Sequence, residues 1–277
     1  MDKQPTHQLN LDKSAIVYLL LLSALLSLFT SKAIAENSPV KSDTYLTETL
    51  EETSFILPPN HQSLYSMEKY GSHVGEMKNK LHYKDGTINY TSSAEAKGLA
   101  SLFIKAEPKE TSILNWPENK QSSLPQQLSF SYIQGKKHKK NQQIMFEHVE
   151  TGETQITGSY KFKPYSLQST QTVWGRQLLP LLMSSDLQLD PHTTSNSFYI
   201  TDKGHLQKYT YTLVTSEDIK FKNKIQPVLK FKLSREGSRR MSYVWLSRDH
   251  YYLPLKIEQY KDGDLNVRML MTHLNLD

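Results

Sequence analysis

The chain contains no cysteine and only 11 glycines among its 277 residues. The lack of cysteine excludes disulfides, thiol nucleophiles and thiolate metal sites. Glycine loops that cradle phosphates, the dinucleotide fingerprint, Gly-x-Ser-x-Gly and His-Glu-x-x-His are all missing from the sequence. The ten histidines are scattered without metal-ligand spacing. The sequence therefore predicts no metal, no cofactor and no catalytic residues, and it favours a protein that is not an enzyme.

The chain also has only a small excess of positive charge. Residues 36–277 carry 30 basic against 26 acidic side chains, a net charge of +4. This density is too low to indicate a nucleic-acid partner.

The N-terminus has the pattern of an export signal. Lys3 and Lys13 precede an apolar run from Ala15 to Phe29, and Ala33-Ile34-Ala35 supplies the small-x-small site that signal peptidases cut. We expect residues 1–35 to be a signal peptide cleaved after Ala35, and the protein to be periplasmic. A retained inner-membrane anchor is the alternative, although the run is shorter than the roughly 20 residues that span a bilayer.

The remaining chain divides into two parts. Residues 36–61 are polar and contain Pro58-Pro59, which predicts a partly disordered lead-in. Residues 62–277 are long enough for one domain, and their short alternating runs separated by turn residues are typical of an antiparallel sheet. Asp85-Gly86 predicts one hairpin and the polar segment 134–143 a second, longer one. Further strands are predicted at Tyr160–Phe162, Tyr209–Leu213 and Leu229–Leu233.

One segment has a helical rather than a two-residue period. Trp174, Leu178, Leu181 and Leu182 share one helical face, which predicts a short helix packed across the sheet. Pro180 argues against a long helix, and an apolar loop is the alternative. Residues 93–105 fit a helix or a buried strand equally well.

The C-terminal stretch combines a sheet pattern with an Asp-His pair. Residues 241–245, 253–257 and 265–271 alternate, which predicts a three-stranded meander. Asp249 and His250 fall in its first turn, where neighbouring side chains point apart, so we interpret them as a structural turn rather than a catalytic dyad. Pro254 is expected on an edge strand, or at a position where its backbone nitrogen faces out of the hydrogen-bonded ladder.

The same stretch resembles the C-terminal signature of DUF 3108, a secreted bacterial family of unknown function. The resemblance rests on Trp245-Leu246, Asp249, Leu253-Pro254 and Asp262-Gly263, and an upstream block is similar through Gly75, Asp85-Gly86, Tyr90, Ala94 and Gly98-Leu99. It extends over about Leu64 to Leu274. It implies a mainly β fold, a single curved antiparallel sheet curled as a half-barrel or open barrel around one short helix on its concave side, in the manner of periplasmic lipoprotein carriers. It implies no activity and no functional residues.

Four lysines form the one dense charge cluster. Lys136, Lys137, Lys139 and Lys140 lie at the predicted tip of the second hairpin. Such a cluster suits contact with anionic headgroups, although lysines on hairpin tips more often keep edges from aggregating. Any membrane contact after signal cleavage is expected to be peripheral.

Three functional interpretations remain open. The first is a non-catalytic periplasmic carrier that binds an apolar, lipid-like molecule between the concave sheet face and Trp174, Leu178, Leu181 and Leu182; a filled core fits the same residues. The second is an envelope scaffold that binds a protein partner through an exposed edge, such as that of the Pro254 strand. The third is an enzyme on dispersed residues, for example Glu258 with Asp262 or Asp264.

Overall fold

The computed structural model describes residues 55–102, 107–116, 124–135, 138–149 and 152–276. These residues form one 15-stranded sheet and one α-helix, α1 (Leu179–Leu189). The strands are β1 (His61–Lys69), β2 (Ser72–Lys84), β3 (Thr87–Ala96), β4 (Lys109–Asn115), β5 (Gln126–Ile133), β6 (Gln142–His148), β7 (Thr154–Tyr160), β8 (Lys163–Ser169), β9 (Val173–Gly175), β10 (Ser195–Asp202), β11 (His205–Phe221), β12 (Lys224–Arg235), β13 (Arg240–Ser247), β14 (Leu253–Lys261) and β15 (Asp264–Leu276). The predicted mainly β class, the curved antiparallel sheet and the short helix are confirmed. The expected signal peptide (1–35) and residues 36–54 of the lead-in lie outside the described residues.

The strand order follows the chain in two arms. β1 to β8 lie side by side in sequence order, and β1 also pairs with β15, from which β14 to β9 continue in reverse order. Neighbouring strands are antiparallel except β9 and β10, which run parallel. The two edge strands are therefore β8 and β9.

The sheet curls until its two edges approach each other. Gly204, between β10 and β11, lies against the ring of Tyr165 on β8, and Gly175 of β9 lies against Phe130 on β5. The Gly175 amide also donates to Gln127 Oε1 of β5 at 2.5 Å. A Cβ at either glycine would press on these side chains, so the missing side chain allows the near closure of the sheet.

The Asp-Gly hairpin predicted from the sequence is confirmed. Asp85 and Gly86 have φ of 49° and 73° and connect β2 to β3, as a two-residue turn with both φ values positive requires. Phe162 was wrongly predicted to lie on a strand: β7 ends at Tyr160, and Phe162 sits in the turn with φ of 63° and 74% of its surface exposed. Residues 93–96 end β3, and Gly98–Leu102 form a 3-10 turn.

The expectation of an exposed edge at Pro254 is wrong. The C-terminal meander forms as predicted, but β14 lies between β13 and β15 in the interior of the sheet. Pro254 is accommodated there because the register with β13 shifts between Trp245 and Leu246, beside Pro254. Such a bulge removes the need for a ladder amide at the proline.

Two apolar clusters fill the concave side. The larger surrounds α1 and contains side chains from β1–β4 and β9–β15. The smaller consists of Phe130, Tyr132, Ile144, Phe146, Ile156 and Val173. Arg176, which follows β9, is buried beside this smaller cluster.

Candidate binding cavity

α1 is the element that occupies the concave side. Pro180 lies in its first turn, where a missing amide costs no helical hydrogen bond. Pro180 therefore lies at the start of the helix and does not interrupt it. Side chains on all sides of the helix are buried, namely Leu179, Leu181, Leu182, Met183, Ser184, Ser185 and Leu187. A helix buried all round is held by its surroundings rather than by one amphipathic face.

Polar side chains of α1 bond to the surrounding chain. Ser184 donates to the carbonyl of Tyr251 at 2.6 Å. Asp186 accepts a hydrogen bond from the Tyr211 hydroxyl, also at 2.6 Å, and burial raises the pKa of Asp186 above its usual range despite that bond. These contacts fix the rotation of the helix relative to β11 and the turn before β14.

The chain just before β1 packs against the same helix. The Ile56 amide donates to Ser185 Oγ at 3.0 Å. The Phe55 ring stacks on Trp174, with ring centroids 5.9 Å apart, and meets Trp116 edge-on at 6.3 Å. Residues 55–60 thus cover one opening of the curled sheet beside α1.

A cavity of about 70 Å³ lies between α1 and the sheet. Its walls are largely apolar and include Tyr65, Met77, Tyr90, Leu179, Leu181, Met183, Leu233, Val244, Ile257 and Met269. One water needs roughly 10–15 Å³ and a drug-sized ligand roughly 300–1,000 Å³. The cavity therefore has room for a small molecule or for one end of a larger one.

One part of the cavity wall is polar. Ser92, Asn79, Arg176 and Gln177 contribute to it, and Gln177 donates to Ser92 Oγ at 3.0 Å. Within the described residues, Asn79 Oδ1 and Arg176 Nε are buried without a hydrogen-bond partner. Neither atom is accessible to a water-sized molecule, so the polar groups that this part of the wall offers are those of Ser92 and Gln177.

Arg176 is the centre of a buried ion-pair cluster. It donates to Asp202 Oδ1 of β10 at 3.0 Å and forms a second salt bridge with Glu110 of β4. Lys203 Nζ lies 3.7 Å from the other Asp202 oxygen. In the amide orientation that satisfies both neighbours, Gln142 donates to Asp202 at 3.0 Å and accepts from the Lys203 amide at 2.6 Å. The cluster joins strands of both arms across the curl.

Aromatic rings complete the surroundings of this guanidinium. The Arg176 guanidinium carbon lies 5.4 Å from the ring centroids of both Phe130 and Tyr132. Desolvated cation–π contacts of this kind are worth about 2 kcal/mol. They offset part of the cost of burying the charge beside the smaller cluster.

The buried position shifts the protonation equilibria of this cluster. Burial raises the pKa of Glu110 above its ordinary value even though Arg176 opposes the shift. Burial lowers the pKa of Lys203 to about 8, against the attraction of Asp202. Burial alone would lower the pKa of Arg176, but Asp202 and Glu110 outweigh it and raise that pKa.

Comparison with known proteins identifies the family. The family model described as "Protein of unknown function (DUF3108)" matches residues 65–272. The chain belongs to the DUF3108 family. The span agrees with the resemblance found in the sequence, and no curated protein matches the chain.

Two solved structures are similar to this DUF3108 chain at low identity. One is a protein inferred to be exported, with a YmcC-like fold, from Bacteroides fragilis, with a TM-score of 0.37, 10% identity, and coverage of 80% of this chain and 99% of that one. The other is the Pseudomonas aeruginosa MucA/MucB complex, with a TM-score of 0.32 and 15% identity; it covers 78% of this chain, which spans 51% of that chain's length.

The four apolar residues predicted as ligand contacts are all buried, but the structure does not group them around the cavity. Leu181 lines it, whereas Trp174, Leu178 and Leu182 pack elsewhere in the larger cluster. Trp174 lies on β9 and Leu178 in the 3-10 turn before α1. Their role in ligand binding stays a prediction.

The basic loop lies between β5 and β6 as predicted. Lys139 and Lys140 are near its surface, whereas Lys136 and Lys137 lie outside the described residues. Burial and the neighbouring Lys139 and Lys161 lower the pKa of Lys140. The loop is thus close to a second basic turn, which the sequence did not indicate.

Sequence reasoning missed Arg176, Glu110 and Asp202. A signal for Arg176 was present, because it is the one charged residue in the otherwise apolar or neutral run from Val173 to Met183. A charge in a segment expected to be buried needs a partner of opposite sign. Which carboxylates would supply it could not be predicted, since Glu110 is 66 residues away in the sequence.

Asp249 and His250 lie in the turn between β13 and β14, and His250 packs against neighbouring side chains. His250 Nδ1 is 2.9 Å from Ser247 Oγ, and its ring meets Phe221 edge-on at 5.4 Å. Burial lowers the pKa of His250. Because Ser247 is fully buried, its hydroxyl is not accessible to a substrate.

Glu258, considered above as part of a catalytic carboxylate pair, forms its contacts with other side chains. Glu258 accepts from Arg268 at 2.9 Å and from the Tyr260 hydroxyl at 2.9 Å, and it pairs with Lys256 at 3.0 Å. Burial would raise its pKa, but these bonds outweigh burial and lower it. Asp262 is paired instead with Arg239 at 3.2 Å.

Two further searches cover the described part of the chain. No group of three or more histidine, aspartate or glutamate side chains is placed there to hold a metal ion. No helix in it has both the length and the apolar character needed to cross a membrane.

Proposed function

We propose that this DUF3108 protein is an exported, non-catalytic envelope protein that binds an apolar molecule with a polar end in the cavity beside α1. The observation that carries this proposal is the cavity itself, which has apolar walls and one polar part. The signal-like N-terminus supports export to the periplasm.

Methionines support the admission of a guest larger than the resting cavity. Met77, Met183 and Met269 line the cavity on three different elements. Methionine has an unbranched side chain with three rotatable bonds, so such walls repack around different shapes. The acyl end of a lipid-like molecule fits this chemistry, with its polar end toward Ser92 and Gln177.

The test uses one residue of the cavity wall and one matched control. Ser242 of β13 is buried and lines the cavity, so Ser242→Leu fills it with apolar atoms. Ser66→Leu makes the same change on the other face of β1, since Ser63 and Tyr65 face the cavity and strand residues alternate. The protein and both variants are purified from the native envelope, analysed by native mass spectrometry and extracted with organic solvent.

We expect an apolar molecule at near-stoichiometric amount on the wild-type protein and on Ser66→Leu, and its loss from Ser242→Leu. Binding of the uncharged probe N-phenyl-1-naphthylamine should show the same order. A wild-type protein that carries no molecule and binds no probe would end the proposal. Equal binding by Ser242→Leu and Ser66→Leu would move the site away from this cavity.

A second candidate function, binding of a protein partner, is supported by the edge strand β8. Within the described residues its seven residues pair only with β7, and an open edge can accept a strand from another protein. Proline has no amide hydrogen, so Pro164 fits where the backbone nitrogen of β8 points away from β7. Ser166 is two residues further along the strand, so its amide also points away from β7. Ser166→Pro should therefore abolish co-purification of an envelope partner while leaving unfolding unchanged; retention of that partner would exclude β8 as the contact.

A further inference from the structure

The antiparallel topology gathers alternate turns at one end of the sheet. The turns after β1, β3, β5, β7, β10, β12 and β14 lie there, because each strand runs opposite to its neighbour. We call this the basic end. The turns after β2, β6, β11 and β13 lie at the opposite end.

The most exposed large apolar side chains are found at the basic end. Among the described residues these are Leu99 (78%), Tyr70 (77%), Phe162 (74%) and Leu102 (69%). They belong to the turns after β1, β3 and β7. Single exposed apolar side chains are common on protein surfaces, but here the four most exposed ones all lie at the same end of the sheet.

Phe162 is held in a backbone conformation that its residue type disfavours. Lys161 and Phe162 both have positive φ, 53° and 63°. Asparagine and glycine are preferred at such turn positions, and a bulky residue there is an outlier. An outlier that holds an aromatic ring in solvent points to a use for that ring outside the chain.

Basic residues lie beside two of these apolar tips, Phe162 and Tyr70. Lys139, Lys140 and Lys161 are close enough to one another that repulsion adds to burial in lowering the pKa of Lys140. The pKa of Lys69, which precedes Tyr70, is lowered by burial and further by repulsion from Arg240 and Lys261. Asp262 offsets part of this charge through its pair with Arg239.

The opposite end differs in degree. Two of its turns pair a base with an acid, Lys84-Asp85 and Arg248-Asp249, whereas Lys222 and Lys224 flank the exposed Ile225 (65%) in the turn after β11. The four most exposed large apolar side chains of the described residues nevertheless all lie at the basic end.

We propose that the basic end docks on an anionic lipid bilayer, with Phe162, Tyr70, Leu99 and Leu102 in the headgroup region and the surrounding lysines on lipid phosphates. Apolar side chains on separate turns can each insert into the headgroup region of a fluid bilayer. Each basic side chain near an anionic leaflet adds to the electrostatic attraction. This inference does not depend on the cavity having a ligand.

The absence of cysteine allows a site-specific test. Phe162→Cys and Tyr251→Cys each introduce a single thiol at an exposed turn residue with positive φ, 63° and 55°, at opposite ends. Each is labelled with an environment-sensitive fluorophore and mixed with vesicles of phosphatidylcholine alone or with added phosphatidylglycerol. We expect a blue shift at position 162 with the anionic vesicles and none at 251. No shift at 162, or equal shifts at both positions, would overturn the proposal.

Charge and apolar contributions are separated by co-sedimentation with the same vesicles. Lys139→Gln, Lys140→Gln and Lys161→Gln together should weaken binding by about fivefold per lysine, whereas the same change at Lys220, Lys222 and Lys224 at the opposite end should have little effect. Phe162→Asn, which suits the backbone, should weaken binding about tenfold, and Tyr251→Asn is its control. Binding that is insensitive to 0.5 M salt, or equal losses in the control variants, would contradict docking by this end.

Discussion

The two apolar clusters of the sheet differ in how they are filled. The larger one surrounds α1, contains Met67, Met183, Met269 and Met271 and includes the cavity wall. The smaller one holds aromatic and β-branched residues without a methionine and borders the guanidinium of Arg176. Flexible side chains repack around a guest, whereas stiff ones hold a charge in place. Under the proposed function the larger cluster would hold the ligand, while the smaller one, with Arg176 beside it, would fix the curl of the sheet.

Arg176→Met tests whether the charge beside the smaller cluster holds the arms together. It leaves Glu110 and Asp202 buried without their shared partner, so the free energy of unfolding should fall by about 3–5 kcal/mol, measured by urea denaturation. Arg268→Met is the matched control. The Arg268 side chain is 37% exposed in its pairs with Glu258 and Glu68. Its replacement should therefore lower the free energy of unfolding by only about 1 kcal/mol or less.

The same cluster provides a second check. Replacing all its charges with Glu110→Gln, Arg176→Met, Asp202→Asn and Lys203→Met should recover most of the stability lost in Arg176→Met, because no uncompensated charge is left. A loss for Arg176→Met as small as that for Arg268→Met would show that the buried pairs do not hold the arms.

Equal truncations in the two clusters test the difference in adaptability. Ile156→Ala in the smaller cluster should cost about 4–5 kcal/mol, because its stiff neighbours leave the cavity open. Leu181→Ala beside Met183 and the cavity should cost about 2–3 kcal/mol, because methionines move into part of the space. Urea denaturation of both variants measures this, and a greater loss for Leu181→Ala would remove the basis for calling the larger cluster adaptable.

Lys203 gives the charged cluster a pH dependence that the apolar clusters lack. Its pKa in the folded protein is about 8, below the value of about 10.4 for an unfolded chain. Between these values the unfolded state binds more protons, so the free energy of unfolding should rise with pH. We expect a gain of about 1 kcal/mol from pH 7.5 to 9, a range in which tyrosines, with an ordinary pKa of about 10, stay mostly protonated.

The gain should vanish in Lys203→Met and persist in Lys224→Met, a lysine at the start of β12. Thermal or urea unfolding at three pH values between 7.5 and 9 is sufficient. A wild-type profile that is flat or falls over this range would contradict the assignment to Lys203.

The sequence was informative where structure depends on near neighbours. Asp85-Gly86 indicated its hairpin because two positive φ values select those residues, and the spacing of Leu178, Leu181 and Leu182 indicated the helix. The family was also recognisable from turn residues. The ion-pair cluster was not predictable, because Arg176 meets Glu110 and Asp202 only after the sheet has curled. For Pro254 the sequence left an edge strand or a position facing out of the ladder open, and the structure excludes the edge, because β14 is an interior strand whose register with β13 shifts beside Pro254.

The smallest expected effect concerns the segment before β1, where Phe55 and Ile56 pack against Trp174 and α1 beside the larger cluster. Ser185→Ala removes the acceptor of the Ile56 amide and should lower the free energy of unfolding by about 1 kcal/mol. Because the lost bond is local, amide hydrogen exchange at Ile56 should accelerate more than exchange in β1. Ser169→Ala, which removes the acceptor of the Gln171 amide beside the smaller cluster, should leave exchange at Ile56 unchanged. If Ser185→Ala leaves it unchanged as well, the stacking of Phe55 on Trp174 holds this segment without the hydrogen bond.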